Sequence, residues 1–321
     1  MTKKERYKNE SLNIEEHIKK EIPIFFASDD NYIKFLAVTL SSLKAFVSDV
    51  YYTIYILYSE NSISQENKEK IYKYQDSNIK IYFYDITKQL DAISNKLFTR
   101  DYYSKTTYYR LFIPNIFLEY EKAIYLDCDV VLNEDIVNMF NIELNDNLLA
   151  AVSDEAVSLV PEFRAYTQNH LGIHYTKYFN AGVLLMNLEQ LRKYNFETKF
   201  IDCINNYKFR VAQDQDYLNV ICKDRVLYLP LNYNKMPFPS LDITEDNVKI
   251  VHYNLSFKPW HYDNIEYQRL FWKYAESTEF FDEILEARKN YTKEDVLKDD
   301  LVGRKLIELA ASEANKGLYN K

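Results

Sequence analysis

Short apolar runs and amphipathic stretches follow one another along the first part of the chain. The runs at residues 22–27, 52–58 and 79–84 have the length and apolar character of strands. Between them, residues 33–47 and 64–74 carry apolar side chains at helical spacing and begin beside polar residues that can cap a helix. This β-α-β-α-β order predicts an α/β protein with a parallel sheet.

The second part of the chain continues this alternation and becomes helical after Asp263. Further strands are expected at residues 123–126, 148–152, 179–187, 226–229 and 249–252. Further helices are expected at residues 11–20, 106–117, 188–207, 213–222, 267–274, 280–288 and 292–312. Residues 156–178 show no clean period, and we expect helix plus loop there.

Two aspartates stand where the apolar run 123–126 stops. Because this run is short and continuously apolar, it predicts a buried parallel strand, and ligands in open α/β sheets bind just beyond the carboxyl ends of such strands. Asp127 and Asp129 are two residues apart, so both carboxylates face the same way in an extended chain and repel each other unless a cation lies between them. The pair indicates either a Mg²⁺ or Mn²⁺ site or a turn with two solvated aspartates.

Other polar residues follow predicted strands, and each has two interpretations. Asp29 and Asn31 can cap the helix that follows, or they can hydrogen-bond a base or a ribose. His252 ends a strand, where it can ligate a metal or be satisfied by hydrogen bonds. Lys258 precedes Pro-Trp and can bind a phosphate or be solvated. Gly182 lies inside a predicted strand, which indicates that another group approaches the backbone closely there or that tight packing leaves no room for a side chain.

Two further segments contain polar side chains that can serve either the fold or the binding of a ligand. Arg110 stands among aromatic residues, where it can be stacked and structural or can reach toward a phosphate or sugar. The segment 213–219 opens a helix with amides and carboxylates. These groups complement the helix dipole, and they are also suited to gripping sugar hydroxyls.

Composition narrows the classes of function. The net charge of −8 argues against a general nucleic-acid-binding function, because such a protein would carry a basic face. An anionic substrate would need a local cation in order to bind. Only four glycines occur, so a P-loop or a Rossmann glycine fingerprint is excluded. Three widely spaced cysteines make neither a disulfide framework nor a zinc set, and we expect a reducing compartment. The charged N-terminus is unlike a signal peptide, and no run approaches the ~18 apolar residues of a membrane span.

Six segments, in this order, form a pattern typical of one enzyme family. They are Phe26-Ala-Ser-Asp-Asp-Asn-Tyr32, Tyr109-Arg-Leu111, Tyr125-Leu-Asp-Cys-Asp129, Phe179-Asn-Ala-Gly-Val183, Asp214-Gln-Asp-Tyr-Leu-Asn219 and His252-Tyr-x4-Lys258-Pro-Trp260. Together they resemble glycosyltransferase family 8, in particular the bacterial lipopolysaccharide α-galactosyl- and α-glucosyltransferases. The resemblance implies a GT-A fold, with a Rossmann-like mixed sheet flanked by helices, over residues 22–262. It leaves an N-terminal extension at 1–21 and a helical C-terminal region at 263–321.

The resemblance also implies roles for the matching residues. A Mn²⁺ ion, with Mg²⁺ as the alternative, would be bound by Asp127, Asp129 and His252. The UDP part of UDP-galactose or UDP-glucose would contact Ala27, Asp29, Asn31, Tyr32 and Lys258. The donor-sugar pocket and reaction centre would be formed by Arg110, Asp154, Asn180, Asp214 and Gln215. Cys128 replaces a residue that is usually small or aliphatic in the family, and we expect its side chain to point away from the metal.

The implied reaction is Mn²⁺-dependent transfer of galactose or glucose, with retention, from a UDP-sugar to a hydroxyl of a glycan, a lipid-linked sugar or a protein. Gln215 is a poor nucleophile, so same-face displacement is preferred over a covalent intermediate. The alternatives are a metal-dependent nucleotidyltransferase or sugar-nucleotide hydrolase, and a non-catalytic carbohydrate-binding protein. We expect a cytoplasmic enzyme of polysaccharide biosynthesis with at most peripheral contact at the inner face of the membrane.

Overall fold

Nine strands form two sheets in the computed structural model, which describes residues 20–47, 50–91, 93, 97 and 105–319. The strands are β1 (Glu21–Ala27), β2 (Tyr51–Tyr58), β3 (Ile79–Asp85), β4 (Lys122–Leu126), β5 (Val130–Leu132), β6 (Leu149–Ser153), β7 (Phe179–Asn187), β8 (Val226–Tyr228) and β9 (Ile250–His252). Seven of them make one sheet in the order β3-β2-β1-β4-β7-β6-β8, and β5 pairs with β9 in a second sheet. The helix expected at residues 11–20 lies outside the described residues, except for Lys20.

The large sheet is mixed, as the family resemblance implies. Strands β3, β2, β1 and β4 are mutually parallel, which confirms the parallel pairing that the β-α-β-α-β pattern predicts. Strand β7 lies outside that pattern and runs antiparallel to both of its neighbours, β4 and β6. Eight of the nine β7 residues are buried, and its largely apolar run carries no information on strand direction.

Thirteen α-helices surround or follow the sheets within the described part of the chain. They are α1 (Ile33–Lys44), α2 (Gln65–Tyr72), α3 (Thr87–Asp91), α4 (Ile113–Ile116), α5 (Val137–Phe140), α6 (Glu155–Leu159), α7 (Pro161–Ala165), α8 (Leu188–Lys193), α9 (Phe196–Asn206), α10 (Asp214–Cys222), α11 (Gln268–Ala275), α12 (Phe281–Lys289) and α13 (Lys293–Asn315). Short 3₁₀ and π segments complete the set: Lys105–Phe112, Tyr166–His170, Tyr175–Lys177 and Leu231–Tyr233. Helix α13 packs against α7 and the π-helical turn Tyr166–His170.

Two helix predictions differ from the structure. The segment expected as a helix at 106–117 is a 3₁₀ helix, Lys105–Phe112, followed by the single turn of α4. Pro114 stands at the start of α4, where the missing N–H and fixed φ of proline are tolerated. The helix expected at 188–207 is divided into α8 and α9 at Asn195, whose φ of 55° is left-handed. Asparagine is one of the few residues that adopts this conformation at little cost.

Two apolar clusters lie on opposite faces of the large sheet. Successive residues of β1 alternate between them: Ile24 and Phe26 belong to one cluster, and Phe25 belongs to the other. With both faces covered, polar groups are left to the edge at which β1, β4 and β6 end. Because β7 runs the other way, it begins at this same edge, and Asn180 pairs there with Val152. Among the described helices, none combines the length and the apolar character needed to cross a membrane.

Candidate active site

A cavity of about 510 Å³ opens at the edge of the sheet where β4 and β6 end and β7 begins. All of the candidate residues from the sequence line it, namely Ala27, Asp29, Asn31, Tyr32, Arg110, Asp127, Asp129, Asp154, Asn180, Asp214, Gln215, His252 and Lys258. The cavity thus joins segments that are far apart in the chain. Which of these residues acts on a substrate remains a prediction.

Asp127, Asp129 and His252 form one compact cluster. Each offers a ligand atom, and these atoms lie within 4.8 Å of one another. His252 Nε2 is 3.2 Å from Asp129 Oδ1 and 3.8 Å from Asp127 Oδ2. The pairing of β5 with β9 causes this approach, because it sets Val130 opposite His252. Two carboxylates and an imidazole form a donor set that fits a divalent ion such as Mn²⁺.

Gly182 provides the space that this cluster occupies. A Cβ atom at this position would collide with the His252 ring and lie 2.6 Å from Asp127 Oδ2. The Asp127 N–H also donates to the Gly182 carbonyl oxygen at 2.8 Å, which fixes the turn after β4 against β7. Of the two interpretations of Gly182, the structure therefore supports the close approach.

Asn234 orients the imidazole of His252. His252 Nδ1 donates to Asn234 Oδ1 at 3.0 Å, and this hydrogen bond directs Nε2 toward the two aspartates. The Asn234 amide nitrogen in turn donates to Asn180 Oδ1 at 2.9 Å. Both asparagines are buried. Nothing in the spacing of the loop 230–237 indicates this role, because only the folded chain brings Asn234 to His252.

Lys258 adds a positive charge beside the cluster. Its ammonium group donates to the Asp129 carboxylate and to the carbonyl oxygen of Tyr253. Burial by itself would raise the pKa of Asp129, but Lys258 and His252 outweigh it and hold this pKa well below its usual range. Asp129 therefore stays ionised and able to bind a cation.

Arg110 connects the cluster to Asp214. The buried guanidinium lies 3.0 Å from Asp127 Oδ1 and 3.0 Å from Asp214 Oδ2, and it stacks 4.4 Å from the centre of the Tyr125 ring. Its Nε–H points at the Thr107 carbonyl oxygen at 2.9 Å, so the contact with Asp214 Oδ2 is ionic rather than a directed hydrogen bond. Arg110 is thus both stacked and ion-paired at the wall of the cavity.

Asp214 carries a shifted pKa. Burial raises the pKa of this carboxyl to about 6, the Arg110 guanidinium opposes the rise, and the negative charge of Asp127 adds to it. The residue before it, Gln213, has φ 50° and ψ −120°, a strained conformation at the start of α10. At neutral pH, Asp214 remains mostly ionised and faces the cavity.

Gln215 and Asn180 converge on Asp154. Gln215 Oε1 accepts the Ala181 N–H at 2.9 Å, and its Nε2 donates to Asp154 Oδ2 at 3.1 Å. Asn180 Nδ2 donates to the same Asp154 oxygen at 3.1 Å. Asp154 Oδ1 caps α6 by accepting from the Val157 N–H. The amide of Gln215 is therefore held by both of its polar atoms.

The turn after β1 borders the other side of the cavity. Asp29 Oδ1 accepts the N–H groups of Asn31 and Tyr32 at 3.0 and 3.1 Å and so closes the turn before α1, whose N-cap residue, Tyr32, makes no side-chain capping bond. Burial raises the pKa of Asp29. Cys128 is buried, and its thiol donates to the Ala27 carbonyl oxygen at 3.1 Å, away from the metal cluster as we expected. Contacts of Asp29 and Asn31 with a nucleotide remain a prediction.

Comparison with known proteins places this geometry in a family. The family model described as glycosyl transferase family 8 matches residues 23–264. The chain is 32% identical to a putative glycosyltransferase of Haemophilus influenzae, over 74% of this chain and 72% of that one. It is 27% identical to a lipopolysaccharide 1,2-glucosyltransferase of Escherichia coli K12, over 84% of this chain and 83% of that one.

Solved structures agree in fold. A galactosyltransferase LgtC, in complex with donor and acceptor sugar analogs, superposes with a TM-score of 0.68 at 28% identity, over 80% of this chain and 96% of that chain. The bifunctional glycosyltransferase WbbM superposes with a TM-score of 0.71 at 24% identity, and this chain spans 52% of its length. These similarities confirm the GT-A fold. The chain belongs to glycosyltransferase family 8.

Proposed function

We propose that this family 8 protein is a retaining hexosyltransferase that moves galactose or glucose from a UDP-sugar to a hydroxyl acceptor and depends on Mn²⁺. The observation that carries the proposal is the cluster of Asp127, Asp129 and His252, whose ligand atoms lie within 4.8 Å of one another in the cavity. The cavity volume of about 510 Å³ falls in the range of small-molecule sites.

The departing UDP is the most highly charged group in this reaction. A divalent cation held by Asp127, Asp129 and His252 would neutralise its diphosphate. Lys258 would neutralise the diphosphate as well, because its ammonium group is fixed beside Asp129. The ammonium group also lies 6.0 Å from the centre of the Tyr32 ring, on the side of the cavity that borders β1. On this proposal Ala27, Asp29, Asn31 and Tyr32 contact the nucleoside, since they border the cavity next to Lys258.

The opposite wall of the cavity suits the donor sugar. Asp154, Asn180 and Gln215 share one hydrogen-bond network, so each side chain has a fixed orientation toward the sugar. The carboxylate of Asp214 is buried and paired with Arg110. Its negative charge would stabilise the positive charge that develops on the sugar as the bond to phosphate breaks.

The hydrogen bonds of Gln215 support same-face displacement as the route by which the configuration of the sugar is retained. A covalent route requires a nucleophile that is free to reach the anomeric carbon. The Gln215 carbonyl oxygen already accepts the Ala181 N–H, and amide oxygens are weak nucleophiles. We therefore assign Gln215 a positioning role, in which it aligns the sugar for attack by the acceptor hydroxyl.

The acceptor on this proposal is a glycan, a lipid-linked sugar or a protein. The Escherichia coli relative named as a lipopolysaccharide 1,2-glucosyltransferase supports an acceptor that is part of a surface polysaccharide. An enzyme that extends a lipid-linked sugar would work beside the inner face of the membrane.

Release of UDP tests the proposal. The protein is incubated with UDP-glucose or UDP-galactose, with Mn²⁺ or with excess EDTA, and with or without a panel of sugar acceptors. We expect Mn²⁺-dependent release of UDP that an acceptor accelerates, and a glycosylated product. Release that no acceptor accelerates and that gives only free hexose indicates a sugar-nucleotide hydrolase.

Matched variants separate the metal site from general effects of charge. Asp129→Asn removes one ligand charge, and we expect it to abolish transfer. Asp246→Asn removes the same charge from an exposed position outside the cavity and should behave like the parent protein. Equal activity of the parent, of Asp129→Asn and of the parent in excess EDTA would overturn the proposal.

A further inference from the structure

Part of the cavity wall is apolar and has no role in the proposed handling of the donor. Residues of α6 and α7 line it together with Phe238, residues 254–257 and residues of α13. They include Val157, Val160, Phe163, Phe257, Val302 and Leu306. A UDP-hexose carries polar groups along its whole length, so it offers no large apolar surface to cover these side chains.

The α13 part of this wall is held at both ends of the helix. Near the beginning of the helix, Asp299 Oδ2 accepts from the Tyr262 hydroxyl at 2.6 Å and from the Tyr291 hydroxyl. At the other end, His170 Nδ1 lies 2.8 Å from the Gly317 carbonyl oxygen, and the Tyr319 N–H donates to the His170 carbonyl oxygen at 3.0 Å. The segment between these anchors is therefore a fixed wall of the cavity.

Gly303 lies in the middle of this segment. It lines the cavity with Asp299, Val302 and Leu306, which are spaced three or four residues apart and share one helix face. A Cβ atom at Gly303 would meet no atom within 4 Å. A glycine in the interior of a helix weakens the helix, and no close packing requires one here. The missing side chain leaves open space at the apolar part of the cavity.

We propose that this apolar part of the cavity is the acceptor site, and that it takes a sugar carrying an apolar aglycone, such as the alkyl chain of a lipid-linked sugar, packed against α13 at Gly303. This inference rests on the proposed hexosyl transfer. The acceptor hydroxyl must meet the anomeric carbon of the donor, so the two sites must be continuous, and the apolar walls belong to the same cavity as Asp214 and Gln215.

Binding of matched glycosides tests the inference without requiring turnover. Methyl and octyl glycosides of the same sugar are titrated into the full chain loaded with UDP and Mn²⁺, and dissociation constants are measured by calorimetry. Because each buried methylene strengthens binding several-fold, we expect the octyl glycoside to bind at least about tenfold more tightly. Equal affinity of the two glycosides would overturn the apolar-aglycone assignment.

A pair of leucine substitutions on α13 tests the position of the site. Gly303→Leu fills the open space and should weaken octyl-glycoside binding at least about tenfold while leaving the affinity for UDP unchanged. Leucine is a better helix former than glycine, so a loss of helix stability cannot explain that result. Lys305→Leu places the same side chain on an exposed position that does not line the cavity, and it should bind like the parent.

The outcomes separate this inference from the proposed function. Tight octyl-glycoside binding that is unchanged in Gly303→Leu would overturn the assignment of the α13 wall. If octyl glycosides bind as expected but no UDP-hexose yields a glycosylated product, then the proposed transfer fails while the apolar site stands. Transfer to methyl and octyl glycosides with equal KM values would leave the proposed function intact and overturn the inference.

Discussion

Asn234 Oδ1 and His252 Nδ1 lie 3.0 Å apart in the interior of the protein, and this hydrogen bond fixes the imidazole with Nε2 facing Asp129. The bond leaves the Nε2 lone pair available to a cation, because Nδ1 carries the proton. Asn234 also reaches Asn180 at 2.9 Å. A loop residue therefore connects the metal cluster to the predicted sugar pocket.

Asn234→Ala is expected to weaken Mn²⁺ binding by roughly 10–100-fold, because the imidazole loses the group that orients it. Binding is measured by electron paramagnetic resonance of free Mn²⁺ during titration. Asn206→Ala, which removes an exposed asparagine from the end of α9, is the control and should bind like the parent. Unchanged affinity in Asn234→Ala would show that packing alone orients His252.

Gly182→Ala is expected to lower the free energy of unfolding by about 1–3 kcal/mol and to abolish Mn²⁺ binding. Its Cβ atom would collide with the His252 ring and lie 2.6 Å from Asp127 Oδ2, so the strand and the cluster must separate. Gly303→Ala is the matched comparison, because its Cβ atom meets nothing within 4 Å. That change should raise the free energy of unfolding by about 0.5–1 kcal/mol. Urea denaturation that gave both variants the same sign of change would contradict this account of Gly182.

The free energy of unfolding is expected to depend on pH through the buried carboxyl group of Asp216. Its buried carboxylate accepts from the Tyr166 and Tyr178 hydroxyls and the Ala212 N–H, and burial raises its pKa to about 6. The folded chain therefore takes up a proton more readily than the unfolded chain. The stability that this uptake contributes is complete below pH 4 and is lost as the pH rises through about 6. It amounts to at most about 3 kcal/mol.

Asp216→Asn removes this titration. Compared with the parent, the variant should be more destabilised at pH 4.5 than at pH 7.5 when unfolding free energies are measured with urea. The exposed Asp246→Asn control should show no such difference. A constant gap between Asp216→Asn and the parent across this range would mean that Asp216 does not titrate as described.

Gln215→Ala is expected to reduce kcat by ~10²–10³-fold without abolishing transfer, which is typical of the loss of one stabilising group. The side chain holds Asp154 and Ala181 in place, and it would align the sugar rather than attack it. Initial rates with a UDP-hexose and an acceptor give the measurement. Complete loss of activity together with a trapped glycosyl-enzyme would identify Gln215 as the nucleophile.

The residues of the site that occur in short motifs could be predicted, and those that depend on distant contacts could not. Asp127 and Asp129 follow an apolar strand, so their position at a ligand-binding edge follows from the sequence. The direction of β7 could not be predicted from the sequence. A strand that is buried on both faces is mostly apolar whether it runs parallel or antiparallel to its neighbours. Asn234 reaches His252, and Gly303 reaches the cavity, only through tertiary packing, and no local spacing predicts that packing.

Calorimetric titration of UDP, with and without Mn²⁺, tests the central claim most directly. The chain has no glycine-rich phosphate loop, so a cation at Asp127, Asp129 and His252 must supply most of the attraction for the diphosphate. We predict that Mn²⁺ tightens UDP binding by at least about tenfold in the parent and in Asp246→Asn, and that Asp129→Asn loses this gain. Equal affinity of the parent for UDP in Mn²⁺ and in excess EDTA would contradict the account.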